Sequence, residues 1–298
     1  MERDYDCKAQ FHNHPHFYGP GGHRAFIPGE RAYKFFLKVP SLLDIVNSSL
    51  EKDFSIVTIS GCQSHIREVD KSVEYYFRQL DSLPNDFKIE DHLDEGFVKL
   101  SQGEKDLILL SGCEIRTNYN GLPADVNVIG ISPKTYIEPE KDIDYTLEQA
   151  KDLGALVTAC HPTSGIASMG IEKALELYEA GLIHSIEGFN AMATPGENKE
   201  LAESLRQLGI KGIAVSDAHH YQDISRAYTN LPSGFERNFS RESLIDLINE
   251  GNFENTEGQI SLWRNFVTHK FPILLSIPMN LIKNPRYFLN FLNIIKKE

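Results

Sequence analysis

Phe11-His12-Asn13-His14-Pro15-His16 comes directly at the end of a short apolar segment, residues 7–11, that reads as the first β-strand. Alternate side chains of a strand share a face, so His12 and His14 point one way and Asn13 the other. Two imidazoles on one face, about 6–7 Å apart at their backbone origins, can grip a single metal ion. Solvated histidines near a terminus give a similar string, but this run ends an apolar strand and not a polar tail. A two-histidine grip is incomplete, so the rest of the chain must supply further histidines and carboxylates.

Working outward, apolar and β-branched runs predict strands over 54–60, 107–115, 125–131, 155–160, 183–189 and 210–215. Helical spacing predicts helices over 41–50, 69–80, 143–153, 171–179, 198–208 and 240–250, with a weaker helical pattern over 87–102. The Gly/Pro-rich loop 19–29 carries neither a dinucleotide fingerprint nor a P-loop lysine. Strand and helix alternate about seven times, and the strands are continuously apolar, the pattern of strands buried on both faces. The expected fold is therefore α/β, a closed parallel (β/α) barrel in preference to an open sheet.

The 298 residues, 41% of them hydrophobic, suffice for one large core. A formal charge of −12 argues against a general grip on nucleic-acid phosphates, so no DNA partner is expected. The cysteines Cys7, Cys62, Cys113 and Cys160 are widely spaced, as in a reducing compartment. The polar first residues are no signal peptide, and no run is long and apolar enough to span a membrane. The expected location is cytoplasmic.

A (β/α) barrel puts its active site at the C-terminal ends of its strands. Those ends read, in order, His12 and His14; Gly61-Cys62, with His65 following; Glu114; Asn127; His161; Glu187 with Asn190; and Asp217 with His219. Each has a plain structural explanation alone, a surface carboxylate or a capping residue, but a barrel brings all of them to one mouth. Histidines and carboxylates with open positions suit zinc, manganese or iron. Arg24, Arg67, Arg116 and Arg226 fall near the same rim, where a guanidinium can clamp phosphate oxygens.

FHNH at 11–14, GCEIRT at 112–117, ACHP at 159–162, and VSDAHH followed by SRAYT within 215–229 resemble the motifs of the PHP family, the polymerase and histidinol phosphatase phosphoesterases. The resemblance spans roughly residues 7–235. It implies a distorted seven-stranded barrel that hydrolyses phosphate esters with divalent metal ions. By position, His12, His14, Glu114 and Asp217 would hold one ion, Glu114 would bridge to a second at His161, and His219 would belong to a third. Glu114, Asp217 and His161 are the expected catalytic residues, with Arg116 and Arg226 on the substrate phosphate. Three departures stand out: Gln10 replaces an aspartate, Gly61-Cys62 replaces an Asp-His pair, and Asn127 replaces a histidine. Two ions are therefore expected and the third site is damaged, with Cys62, His65, Asn127, His16 and His23 as candidate substitutes. Cys62 comes first, because a thiolate binds zinc well.

The expected activity is hydrolysis of a small phosphate ester by metal-activated water. Two rivals are an amidohydrolase-type metal hydrolase, which lacks its usual lysine here, and a degenerate barrel serving as a non-catalytic scaffold. Residues 1–262 form the expected barrel, and 263–298 an amphipathic extension. That extension carries six basic residues against one acidic, interleaved with aromatic and aliphatic ones and broken by Pro272, Pro278 and Pro285. It fits either a segment packed on the barrel or a peripheral contact with an anionic membrane or a partner protein.

Overall fold

The computed structural model describes residues 4–14, 40–63, 72–164 and 167–261. His16, His23, Arg24, His65, Arg67, the 19–29 loop and the 263–298 extension lie outside the described residues. The strands are β1 (Cys7–Gln10), β2 (Phe54–Gln63), β3 (Lys88–His92), β4 (Phe97–Gln102), β5 (Lys105–Tyr119), β6 (Leu122–Ile129), β7 (Leu156–Ala159), β8 (Ser185–Asn190), β9 (Ile213–Val215), β10 (Tyr228–Leu231) and β11 (Glu254–Thr256). The helices are α1 (Leu42–Glu51), α2 (Ser72–Phe77), α3 (Ile143–Asp152), α4 (Ile171–Glu179), α5 (Pro195–Leu208) and α6 (Arg241–Asn249). Local chemistry sets the helix ends. Ser41 and Thr194 cap α1 and α5 through reciprocal bonds with Asp44 and Glu197, and Gly209 ends α5 in the left-handed conformation.

The sheet runs β11-β10-β1-β2-β5-β6-β7-β8-β9, with the β3–β4 hairpin attached to β5. Two strand expectations need correction. Residues 87–102 form that hairpin and not a helix, because β4 pairs with β5 along its length, from Phe97↔Leu110 to Gln102↔Lys105. The sheet is also mixed and not parallel: β6 is antiparallel to both β5 and β7, and β10 is antiparallel to β1. Between β5 and β6 the chain turns through Asn120 and Gly121, both at positive φ, the two-residue turn that joins antiparallel neighbours. The sheet has eleven strands among the described residues, nine along the path and two in the attached hairpin, more than the seven expected.

The ring is nearly closed. β9 and β10 meet through the Thr229 hydroxyl, which accepts from the Ala214 N–H and donates to the Ala214 carbonyl, each at 3.1 Å. At the mouth, the Asp217 N–H donates to His12 O and the His14 N–H to Ala218 O, both at 2.9 Å. Below the mouth, Phe11, Ile56, Ile108, Leu110, Ile129, Leu156, Ile213 and Val215 make one buried cluster with Leu244, Leu247 and Ile248 of α6. Residues from five strands, with Phe11 just past β1, can meet this way only inside the ring, so this cluster fills the barrel. Separate clusters pack α1 and α2 on the β2–β5 face and α3, α4 and α5 on the β6–β8 face. Among the described residues, no helix is long and apolar enough to cross a membrane.

Gln10, fully buried, uses every hydrogen-bonding position of its amide. Its Nε2 donates to Ile224 O (2.9 Å) and Ala227 O (2.6 Å), while its Oε1 accepts from the N–H groups of His12 and Ser216, both at 3.2 Å. The amide thus ties β1 to the segment that carries Asp217 and His219. A carboxylate could not donate to the two carbonyls, which gives the departure at this position a structural reason. Gln10→Leu leaves four buried backbone groups unpaired and should lower stability by about 4 kcal/mol. An unchanged urea midpoint would remove Gln10 from this role.

Candidate metal centre

The fold brings His12, His14, Glu114, His161 and Asp217 together, as their strand-end positions predict. The two strand-one rings converge until their Nε2 atoms are 3.0 Å apart. Around that pair, Asp217 Oδ1 lies 3.6 Å from His12 Nε2 and 3.8 Å from His14 Nε2. Glu114 Oε2 is 3.4 Å from His14 Nε2, and Glu114 Oε1 is 3.1 Å from His161 Nε2. His161 and Asp217 sit at φ values of 30° and 47°, in the left-handed region that side chains rarely adopt.

The tautomers follow from the partners. His12 Nδ1 lies 2.5 Å from Glu187 Oε1, and His14 Nδ1 lies 3.1 Å from Ser60 O. Both partners only accept, so both Nδ1 atoms carry the proton and both Nε2 atoms, in neutral rings, present lone pairs. Two lone pairs facing each other at 3.0 Å repel unless a proton or a metal cation sits between them. The donor set therefore fits a divalent ion: His12, His14 and Asp217 each bring a ligand atom within 4.8 Å of the others. Burial pulls the His12 pKa down, but the charges of Glu187 and Asp217, the Glu187 hydrogen bond and Glu114 outweigh it and push it up to about 10. Burial likewise opposes the charge on Glu114, and its close imidazole neighbours His14, His161 and His12 hold its carboxyl well below the usual range.

Glu187 was visible in the sequence only as a strand-end carboxylate, with no role attached. It is fully buried and accepts from His12 Nδ1, from the His161 N–H (2.8 Å) and from Asn190 Nδ2 (3.1 Å). Asn190 also donates to Asp217 Oδ2 at 3.2 Å, leaving Oδ1 toward the histidines. Residues three apart on a regular strand face opposite ways, but the β8–β9 pairing shifts register between Glu187 and Phe189. Gly188 permits this: a Cβ there would lie 3.0 Å from Gly212 Cα. One bulge therefore orients three of the centre's side chains.

The other candidates divide. His219 donates its Nδ1–H to Asp217 O (2.9 Å), and its ring lies 5.2 Å from that of His14. Asn127 donates its Nδ2–H to Phe11 O at 2.9 Å, and among the described residues its buried Oδ1 meets no hydrogen-bond donor. Cys62 pairs across the sheet with Glu114; among the described residues it joins no ligand group, whereas the Cys160 sulfur groups with His12 and Glu114. Burial, then Glu187 and Glu114, push the Cys160 thiol well up, so it stays protonated at neutral pH. Arg116 is engaged by Asp125 through Nε–Oδ1 (3.0 Å) and Nη2–Oδ2 (2.9 Å), and so does not stand as a free phosphate clamp. Arg226, half exposed, lies 3.6 Å from buried Asp223.

Residues 195–253, a minor part of the chain that includes Asp217 and His219, match the family described as PHP-associated. No curated protein matches the chain. Among solved structures, the lesion-specific endonuclease PfuEndoQ from Pyrococcus furiosus is similar at 14% identity and a TM-score of 0.50. The likeness covers 82% of this chain, which spans only 56% of that protein. PsfC from Pseudomonas syringae PB-5123 is similar at 12% identity and a TM-score of 0.53, over 92% of this chain and 100% of that one. At these identities the likeness establishes a shared fold.

Glu187→Gln should weaken metal affinity by about 10–100-fold, because the amide no longer fixes the His12 proton on Nδ1; unchanged affinity in a competition titration would contradict the hub. The pH dependence has a definite sign. With its pKa raised to about 10, metal-free His12 carries an extra proton at neutral pH, and that proton must leave when metal binds. Affinity should rise with pH toward 10, with about one proton released at pH 7, read from calorimetry in buffers of different ionisation enthalpy.

Proposed function

We propose that the chain is a PHP-type metal-dependent hydrolase whose substrate is a small phosphate ester, a reading supported by the PHP-associated match over residues 195–253 and by the shared fold. The observation that carries the metal part is the pair of facing Nε2 atoms, each ring fixed by an acceptor at Nδ1, with carboxylates on both sides. His12, His14, Asp217 and Glu114 would hold the ion. When bound, a divalent ion supplies Lewis acidity and lowers the pKa of a water in its open position toward ~7.

The remaining work falls to the chain. Glu187 keeps the His12 proton on Nδ1, and Asn190 turns the free oxygen of Asp217 toward the histidines. His161 can take or give a proton at Nε2, where it meets Glu114. Burial opposes its charge, but the Glu114 hydrogen bond and charge raise its pKa to about 9, so it enters the reaction as an acid. Support for a phosphate ester comes from the PHP motifs. The endonuclease among the similar structures makes DNA the natural competitor substrate. The formal charge of −12 works against a grip on a phosphate backbone and favours a small ester.

The test is a panel of nucleotides, sugar phosphates and amino-alcohol phosphates beside single-stranded and lesion-bearing DNA. Chelator-sensitive turnover of a small ester is expected, restored by manganese or zinc and reduced about a thousandfold or more in His12→Ala/His14→Ala. Metal-loaded protein that turns over no ester favours the scaffold reading, and cleavage of DNA alone moves the substrate to nucleic acid.

A further inference from the structure

We propose that Arg116 stands in for a second divalent cation beside Glu114, so that the centre takes one ion and not two. The proposal rests on the metal-centre reading above and specifies its stoichiometry. By donor set alone a second position exists: Glu114, Asp125 and His161 each bring a ligand atom within 4.8 Å of the others. It would share Glu114 with the first group.

That position already has a cation. Arg116 and Asp125 are directly opposed in the antiparallel β5–β6 pair, two residue pairs toward the hairpin from Glu114–Asn127 and so on the same face of the sheet. Both Asp125 oxygens accept from a single guanidinium, at 3.0 and 2.9 Å, in the two-pronged geometry that suits carboxylate best. The Asp125 side chain is 3% exposed and that of Arg116 23%. Asp125 is also fixed by its backbone, whose N–H donates to Ala167 O at 2.9 Å and whose carbonyl accepts from Cys160 N at 3.3 Å. Burial works against the guanidinium charge, yet the charge of Asp125 and its hydrogen bonds hold the Arg116 pKa well above its ordinary value.

An ion ligated by Asp125 would have to share a carboxylate oxygen with this fork or open it, and in either case stand within a few ångströms of a buried positive charge. Like charges repel strongly at that range away from bulk water. Among the described residues, the contacts of Asp217 and Glu114 in the first group are to imidazoles and to Asn190, with no guanidinium or ammonium on either carboxylate. With one ion bound, His161 keeps its hydrogen bond to Glu114 at 3.1 Å and acts as a proton-carrying neighbour, not a ligand.

The experiment strips the full-length protein with chelator and titrates it with Mn²⁺, counting ions by calorimetry and recording the electron paramagnetic resonance spectrum. Wild type should bind one ion per chain, with the six-line spectrum of an isolated Mn²⁺. R116M, which frees Asp125, should bind two, with the broadened spectrum of a coupled pair, and R116M/D125N should return to one. Two ions in wild type overturn the proposal, as does a folded R116M that still binds one. The wild-type count needs no variant, so a misfolded R116M leaves the proposal exposed to it. Wild type that binds no ion overturns the metal-centre reading itself, a distinct result.

Discussion

Two chain segments some two hundred positions apart in sequence must be held side by side for this centre to exist, and the Gln10 amide holds them. Its four hydrogen bonds join β1 to Ser216, Ile224 and Ala227. The backbone pairs of His12 with Asp217 and of His14 with Ala218 continue the seam at the mouth. A buried amide with all its positions satisfied contributes most through what its loss would leave unpaired. Here the groups left unpaired would include the N–H of His12 itself. Asp217 and His161 keep unfavourable backbone angles only because the surroundings over-determine them: Asp217 through this seam, His161 through the Glu187 carboxylate on its N–H.

The centre is also an electrostatic object. Glu114, Glu187, Asp217 and Asp125 are buried carboxylates in one barrel mouth. Burial of so much negative charge is tolerable only beside positive charge. Arg116 answers Asp125, and the imidazoles answer Glu187 and Glu114. The facing nitrogens of His12 and His14, with Asp217 beside them, leave a place where a proton or a metal ion completes the balance.

Much of this was legible in the sequence because each ligand leaves the same local mark, a histidine or carboxylate ending an apolar run. His12, His14, Glu114, His161 and Asp217 were all found that way, and helix 171–179 by its spacing. Strand direction was not found, because a continuous apolar run reports burial on both faces and says nothing of the neighbour's orientation. Asn120-Gly121 was the available signal: it fixes Tyr119 opposite Leu122 and hence Arg116 opposite Asp125. The short strands β10 and β11 lack a distinctive pattern, and residues 87–102 carry one weak enough for pairing with β5 to override. The role of Glu187 depends on a bulge at Gly188, and the placement of Cys160 in preference to Cys62 depends on three-dimensional register; neither is encoded in local spacing.

The central claim is that His12 and His14 face each other because a divalent ion belongs between them. Anomalous diffraction from crystals of the zinc- or manganese-loaded protein, recorded at the absorption edge of the metal, tests this directly. The account predicts a peak about 2.0–2.2 Å from both Nε2 atoms, with an oxygen of Asp217 or Glu114 in the same shell. The absence of a peak there in protein shown to contain metal, or a peak bound elsewhere with the two rings turned apart, would contradict it.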